Sequence, residues 1–180
     1  MALPKNVEIP KGEGQFMKFQ EGNNKVRILS DVITGWEGWK GSKPFRHEGD
    51  VCKISADQVD TNKYGNPAIN YFWAMVVWDY IAKKVQVLEI TQKKVMEALY
   101  AYEISEDWGD LKGYDVNIIR TNGDKVSYSV QAIPPKPLAN EIRQAYEESK
   151  VDLKALFKGE YPMPRENVDI SDTDDIPFDL

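Results

Sequence analysis

Aromatic and basic residues alternate over a short glycine-rich stretch, "GWEGWKGSKPFR", near the N-terminal third of the chain. The stretch contains three large rings and three cations: Trp36, Trp39, Phe45, Lys40, Lys43 and Arg46. Aromatic rings stack on nucleobases for roughly 1–3 kcal/mol each, and cationic side chains pair with phosphates. The pattern therefore indicates a nucleic-acid contact. The alternative is that both tryptophans fold back to close one end of a barrel, and spacing does not separate the two interpretations.

A second group of aromatic residues lies in the run "AINYFWAMVVWDY". Successive side chains of a strand point to opposite faces, so Tyr71 and Trp73 share one face while Phe72, Val76 and Trp78 share the other. Both faces are apolar. We assign Phe72, Val76 and Trp78 to the interior, and Tyr71 and Trp73 to an outward face that stacks on bases.

Residues suited to catalysis are few. His47 and Cys52 are the single histidine and cysteine, so a zinc site of four Cys/His ligands cannot be built. "KGEGQF" lacks the Lys-Ser/Thr ending of a phosphate-binding loop, and no nucleophile stands in a recognised setting. The sequence therefore predicts a non-enzymatic protein with no catalytic residue, no metal and no cofactor. Acid pairs in the loops, such as Asp57 with Asp60 or Asp107 with Asp110, leave a metal-dependent hydrolase or nuclease as the alternative.

Charge is unevenly distributed along the chain. The net charge is −6, but all 23 Lys and Arg lie at or before Arg165 and six acids follow it. Residues 1–165 therefore carry 23 acids and 23 bases and have no net charge. A neutral body with a local basic patch is compatible with nucleic-acid binding. The N-terminus lacks a signal-peptide apolar region and no run is long enough to span a membrane, so we expect a protein of a reducing cytoplasm with no membrane partner.

Hydrophobic periodicity predicts mainly β-structure with accessory helices. We predict strands in "KVRILSDVIT", "AINYFWAMVVWDY" and "VQVLEI", a short strand in "PFRHEG", and a hairpin of "YDVNIIR" with "KVSYSVQAI" around Asn122-Gly123. "GWEGWKGSKPF" is predicted to be a loop. Helices are predicted in "TQKKVMEALYAYEI", with Thr91 as N-cap, around Ile142, and as a last turn near Leu156.

The order of these elements favours an elaborated OB-fold, a Greek-key β-barrel with a helix before its last hairpin. A β-sandwich or another α+β sheet is the alternative. We predict two regions, an OB-fold domain over residues 1–160 and an acidic flexible tail over residues 161–180.

The C-terminal "SDTDDIPFDL" combines acids with apolar residues. Its acids resist burial in a core, and a tail that only confers solubility has no use for apolar side chains. We predict a peptide that is gripped by a partner through the following residues: Asp172, Asp174, Asp175, Ile176, Pro177 and Phe178.

Several strings together resemble the bacteriophage single-stranded DNA-binding proteins that have an OB-fold core. They are "FMKFQEGNNKVRILSD", "PFR", "FWAMVVWDY", "VQVLEITQKKV", "EDWGDLKGYDVNIIR" and "PPKPL", from about Phe16 to Leu138. "DTDDIPF" resembles the acidic tip of bacterial and phage single-stranded DNA-binding proteins. In those proteins the tip recruits replication and repair partners and competes with DNA for the groove. It usually ends on the phenylalanine, whereas Asp179 and Leu180 follow Phe178 here.

The resemblance implies that the DNA channel is lined by Trp36, Trp39, Arg46, Tyr71 and Trp73. We therefore expect a sequence-independent single-stranded DNA-binding protein of phage replication or recombination, working in the cytoplasm of the bacterial host. Its partners would be single-stranded DNA and, through the tail, replication or recombination proteins. The alternatives are an RNA-binding OB-fold protein and a protein-interaction module that uses exposed aromatic residues.

Overall fold

The computed structural model describes residues 14–164, which form a mainly β structure of seven strands and two α-helices. The strands are β1 (Gly22–Ile28), β2 (Ile33–Lys40), β3 (Lys43–Glu48), β4 (Ile69–Asp79), β5 (Lys84–Ile90), β6 (Asp115–Thr121) and β7 (Ser127–Ala132). The helices are α1 (Lys93–Glu103) and α2 (Asn140–Ser149). Short 3-10 helices lie at Ala56–Gln58, Leu111–Gly113 and Leu153–Lys158. Within this part of the chain, no helix is long and apolar enough to cross a membrane.

The seven strands form one open antiparallel sheet in the order β3-β2-β4-β1-β6-β7, with β5 on the other edge of β4. β4 is the organising strand: β2 pairs with its first half and β1 with its end, both along the same edge. β3 and β7 are the two ends of the sheet path, so the predicted closed barrel is not formed among the described residues. Strand pairing is non-local, and for that reason the order of elements did not reveal it.

The stretch predicted to be a loop is a β-hairpin. β2 and β3 pair from Gly35 with Glu48 to Lys40 with Lys43, so the loop prediction was wrong and the short strand around Phe45 is confirmed. Gly35 and Gly38 lie inside β2 because a side chain there would collide with the carbonyl of His47 and with Val59. The two glycines therefore reflect close packing within the sheet, whereas the sequence analysis interpreted this glycine-rich stretch as a loop.

Other boundaries follow the sequence more closely. The predicted hairpins and both helices are present, although α1 begins at Lys93 with Gln92, not Thr91, at its N-cap. The single strand predicted over residues 25–34 is divided into the end of β1 and the start of β2. Met163 exchanges hydrogen bonds with Gln15, so packed structure continues to that residue. The predicted partner-binding residues of the tail, Asp172 to Phe178, lie outside the described residues.

The sheet packs on both faces. On the face toward α1, here the α1 face, the main core joins α1 to β1, β4, β5 and β6 through side chains such as Leu99, Ile28 and Val77. On the opposite face, Leu156 and Phe157 of the last 3-10 helix cover Phe72 and Ala74 of β4. Interior positions predicted for Phe72, Val76 and Trp78 are confirmed by their burial.

Candidate nucleic-acid interface

Four aromatic rings lie together on the α1 face, beyond the area that α1 covers. The register pairs Trp36 of β2 with Tyr71 of β4, and it places Phe45 of β3 and Trp73 of β4 at neighbouring positions of the same face. The rings of Trp36 and Tyr71 are 5.4 Å apart, with a tilt of 55° between their planes. We call Trp36, Phe45, Tyr71 and Trp73 the aromatic strip. All four are half-buried, so each presents part of its ring to solvent.

Asp50, which follows β3, orients the centre of the aromatic strip. The indole N–H of Trp36 donates to the backbone oxygen of Asp50 at 3.0 Å, and the hydroxyl of Tyr71 donates to its carboxylate at 3.5 Å. Tyr71 and Trp73 also pack against the edge of the main core. The rings are therefore held in place before any ligand arrives, which lowers the entropy that binding must overcome.

Two lysines lie at the end of the strip. Lys40 and Lys43 face each other across the β2–β3 turn and are exposed. The Lys40 ammonium donates to the backbone oxygen of Asp57 at 3.1 Å, and that of Lys43 lies 5.2 Å from the ring centre of Phe45. Neither forms an ion pair within residues 14–164. Like charges directly opposite each other destabilise a hairpin, so this arrangement favours a bound anion.

Trp39 of β2 and Arg46 of β3 lie on the opposite face from the strip, because successive side chains of a strand alternate between the two faces of the sheet. Arg46 is buried, and its guanidinium contacts Glu37 at 3.1 Å and Glu89 at 3.2 Å. It also lies 5.3 Å from the ring centre of Trp39. The structure thus brings six of the eight predicted binding residues to one face, and it engages Arg46 in a buried ion-pair network instead.

The same network perturbs two carboxyl groups. Burial raises the pKa of Glu37, although the guanidinium of Arg46 opposes the shift. Burial, together with the charge of Glu37, raises the pKa of Glu89 to about 7. One guanidinium faces two carboxylates, so the network readily takes up a proton near neutral pH.

The loop acids considered as metal ligands have structural contacts. The carboxylate of Asp60 accepts from the backbone N–H of Gly41 at 2.7 Å, and that of Asp110 accepts from Lys112 N–H at 2.9 Å. Among residues 14–164, no group of three or more His, Cys, Asp or Glu is placed to hold a metal ion. These carboxylates stabilise turns, as acids in loops commonly do.

Three features of the site were missed in the sequence. Asp50 was not among the predicted binding residues, because its role as anchor depends on a contact with Tyr71 of β4. Thr34 and His47 share the face of the strip by register, which becomes visible only once β2 and β3 are recognised as strands. A pocket of about 240 Å³ adjoins Thr34 and Trp73, between the β1–β2 connection and the end of α1.

Comparison of the chain with known protein families, with curated proteins and with solved structures returned no match. The class of protein is therefore defined by the structure itself: a mainly β protein with an open antiparallel sheet and a preformed aromatic strip next to two exposed lysines.

Proposed function

We propose that this protein binds single-stranded DNA without sequence preference through the aromatic strip. The observation that carries the proposal is the half-buried pair of Trp36 and Tyr71, anchored by Asp50 and followed by Lys40 and Lys43. Every base has a π-face, so rings of this kind stack on any sequence. The role is binding, without catalysis.

The two lysines supply the electrostatic part of the interaction. Each phosphate that a lysine neutralises releases counterions, and for single strands the log–log dependence of affinity on salt changes by about −0.7 per contact. Lys40 and Lys43 together therefore account for a slope of about −1.4. Arg46 contributes no phosphate contact in this proposal, because its guanidinium is already engaged by Glu37 and Glu89.

The biological setting belongs to the same proposal. The resemblance to phage single-stranded DNA-binding proteins supports a role in replication or recombination in the bacterial cytoplasm. It also supports an OB-type origin of the sheet, in which α1 precedes the last hairpin. The acidic tail, with its apolar Ile176 and Phe178, would recruit partner proteins and compete with DNA for the lysines.

Tryptophan fluorescence during titration with oligo-dT tests the proposal, and the chain offers a matched pair of variants. Trp36→Ala removes a ring of the strip, whereas Trp39→Ala removes the same side chain from the same strand on the opposite face. We expect Trp36→Ala to weaken binding by roughly 1–3 kcal/mol, or about 5- to 150-fold, and Trp39→Ala to retain wild-type affinity.

The other outcomes separate the alternatives. Equal losses in both variants would remove the strip from the binding surface. Stronger binding of oligo-U than of oligo-dT would redirect the proposal to RNA, which differs locally in its 2′-hydroxyl. Absence of any salt-dependent oligonucleotide binding would refute the proposal and leave the strip as a contact for another protein.

A further inference from the structure

A second group of cations surrounds one buried carboxylate on the opposite face of the sheet. Asp115 of β6 is fully buried, and Arg27 of β1 contacts it at 3.4 Å. Lys136 and Lys25 contact its other oxygen at 3.1 and 3.8 Å. The Tyr80 hydroxyl donates to Asp115 at 2.9 Å. We call these five residues the Asp115 cluster.

Positive charge exceeds negative charge in the Asp115 cluster by two. Arg27, whose side chain is only 4% exposed, is sufficient to neutralise Asp115. The side chains of Lys25 and Lys136 are 37% and 50% exposed, so both lysines are accessible from solvent. Both contact one carboxylate oxygen, at 3.8 and 3.1 Å, and they are therefore within about 7 Å of each other. Asp115 supplies one negative charge for three cations, so the two lysines still repel each other, and a further anion beside them relieves that repulsion.

Tyr80 holds the two lysines at one point. Its ring centre lies 4.3 Å from the Lys25 ammonium and 5.7 Å from that of Lys136. Burial and the hydrogen bond to Asp115 raise the pKa of Tyr80 to about 12, so the phenol remains a neutral donor. The lysine stems are thus ordered by the ring before an anion arrives.

The surface around the cluster contains no competing acid on the neighbouring strands. By register, the side chains that β1, β6 and β7 direct to this face are, apart from the cluster itself, all uncharged. They are Asn23, Asn117, Ile119, Thr121, Ser127, Ser129 and Gln131. The chain has 29 Asp and Glu, but β1, β6 and β7 direct no exposed carboxylate to this face. No negative charge on these three strands therefore opposes the positive field of Lys25 and Lys136.

We propose that the Asp115 cluster is a second contact for single-stranded nucleic acid, where Lys25 and Lys136 bind a backbone phosphate. The inference rests on the proposed function, because the same strand would occupy the aromatic strip. Tyr71 lies in β4 and Tyr80 directly follows that strand, so the two surfaces are separated by nine residues, or about 30 Å at 3.3–3.4 Å per residue, and they lie on opposite faces of the sheet. A nucleic-acid strand must therefore pass around the sheet to reach both surfaces, and it needs at least about nine stacked nucleotides at 3.4 Å each. Short oligonucleotides therefore reach only the strip, and long ones reach both surfaces.

The test combines oligonucleotide length with salt dependence. Oligo-dT of about 4 and of about 16 nucleotides, the limits of the site sizes known for such domains, is titrated at several salt concentrations. For Lys25→Ala/Lys136→Ala we expect the log–log salt slope for the long oligonucleotide to become shallower by about 1.4, with no change for the short one. Lys25→Arg/Lys136→Arg, which keeps both charges, should retain the wild-type slope.

A control with the same change of net charge is available on α1. Lys93 and Lys94 are exposed at the start of that helix, and Lys93→Ala/Lys94→Ala should leave both slopes unchanged. If this control lowers the slope as much as the cluster variant does, net charge alone is responsible and the second contact is refuted.

Failure of the inference is distinguishable from failure of the proposed function. An unchanged slope in Lys25→Ala/Lys136→Ala, with Trp36→Ala still weakening binding, would overturn the second contact and leave the strip in place. Absence of oligonucleotide binding by the wild-type chain would overturn both. Lys25→Gln/Lys136→Gln, which keeps the side-chain stems and polar ends, replaces the alanine variant if far-ultraviolet circular dichroism shows that the latter is not folded.

Discussion

Glutamine in place of Glu89 tests the buried ion-pair network of the opposite face. Arg46 contacts Glu37 at 3.1 Å and Glu89 at 3.2 Å, so two carboxylates share one guanidinium. The pKa of Glu89 is raised from its ordinary value of 4.5 to about 7, mainly by burial and secondly by the charge of Glu37. Glu89→Gln removes this titration and leaves Arg46 and Glu37 as a neutral pair.

The sign of the pH dependence follows from the direction of the shift. The folded state binds the proton of Glu89 more tightly than the unfolded state does, so its contribution to stability is full below about pH 4.5 and is lost as the pH rises through about 7. One pKa unit corresponds to about 1.4 kcal/mol. Between about pH 5 and pH 8 the free energy of unfolding of the wild type should therefore fall by about 2–3 kcal/mol relative to Glu89→Gln.

Urea unfolding of both proteins at about pH 5, 6, 7 and 8 measures this difference, since the titrating groups outside the Arg46 network are shared and cancel. Glu48→Gln is the control, because Glu48 is 55% exposed in a surface pair with Lys154 and its replacement should change little with pH. A stability difference between wild type and Glu89→Gln that stays constant with pH, or that favours the wild type as the pH rises, would refute the electrostatic reasoning.

Three further predictions concern stability and the tail. Arg46→Ala should destabilise the fold by about 3–5 kcal/mol, because it leaves the buried Glu37 and the half-buried Glu89 without their partner. Lost oligo-dT affinity at unchanged urea stability would instead assign Arg46 to DNA. Gly38→Ala should lower the free energy of urea unfolding by about 1–3 kcal/mol, because the new methyl group collides with Val59. Unchanged stability would contradict the close packing. Truncation after Arg165 should tighten oligo-dT binding at low salt and have less effect at high salt, because salt screens the charge of the acidic tail. Equal affinities of the full and truncated chains at low salt would exclude competition by the tail.

Residue types and the two-residue alternation of side chains in a strand were sufficient to predict much of the candidate site. The run that forms β4 is β-branched and aromatic, and the two-residue period correctly placed Tyr71 and Trp73 on one face. Phe72 and Val76 were correctly placed in the interior for the same reason. These inferences hold because the direction of a side chain in a strand depends only on its neighbours along the chain.

The composition of the β2–β3 hairpin was misleading. Glycine has no Cβ, and it serves both turns and places where two parts of the chain approach closely. Gly35 and Gly38 serve the second purpose, which only the positions of His47 and Val59 reveal. Because β2 is a strand, its side chains alternate between the two faces, and Trp36 and Trp39, three residues apart, lie on opposite faces of the sheet.

The sequence by itself determined a mainly β protein, its strongest strands and helices, and the aromatic and basic residues available to a ligand. Tertiary structure decided that the sheet is open, that Trp36 meets Tyr71, that Arg46 is buried between two glutamates, and that Lys25 and Lys136 meet at Asp115. The physical reason is that period and propensity are local, whereas strand pairing and the burial of charge depend on residues far apart in the chain.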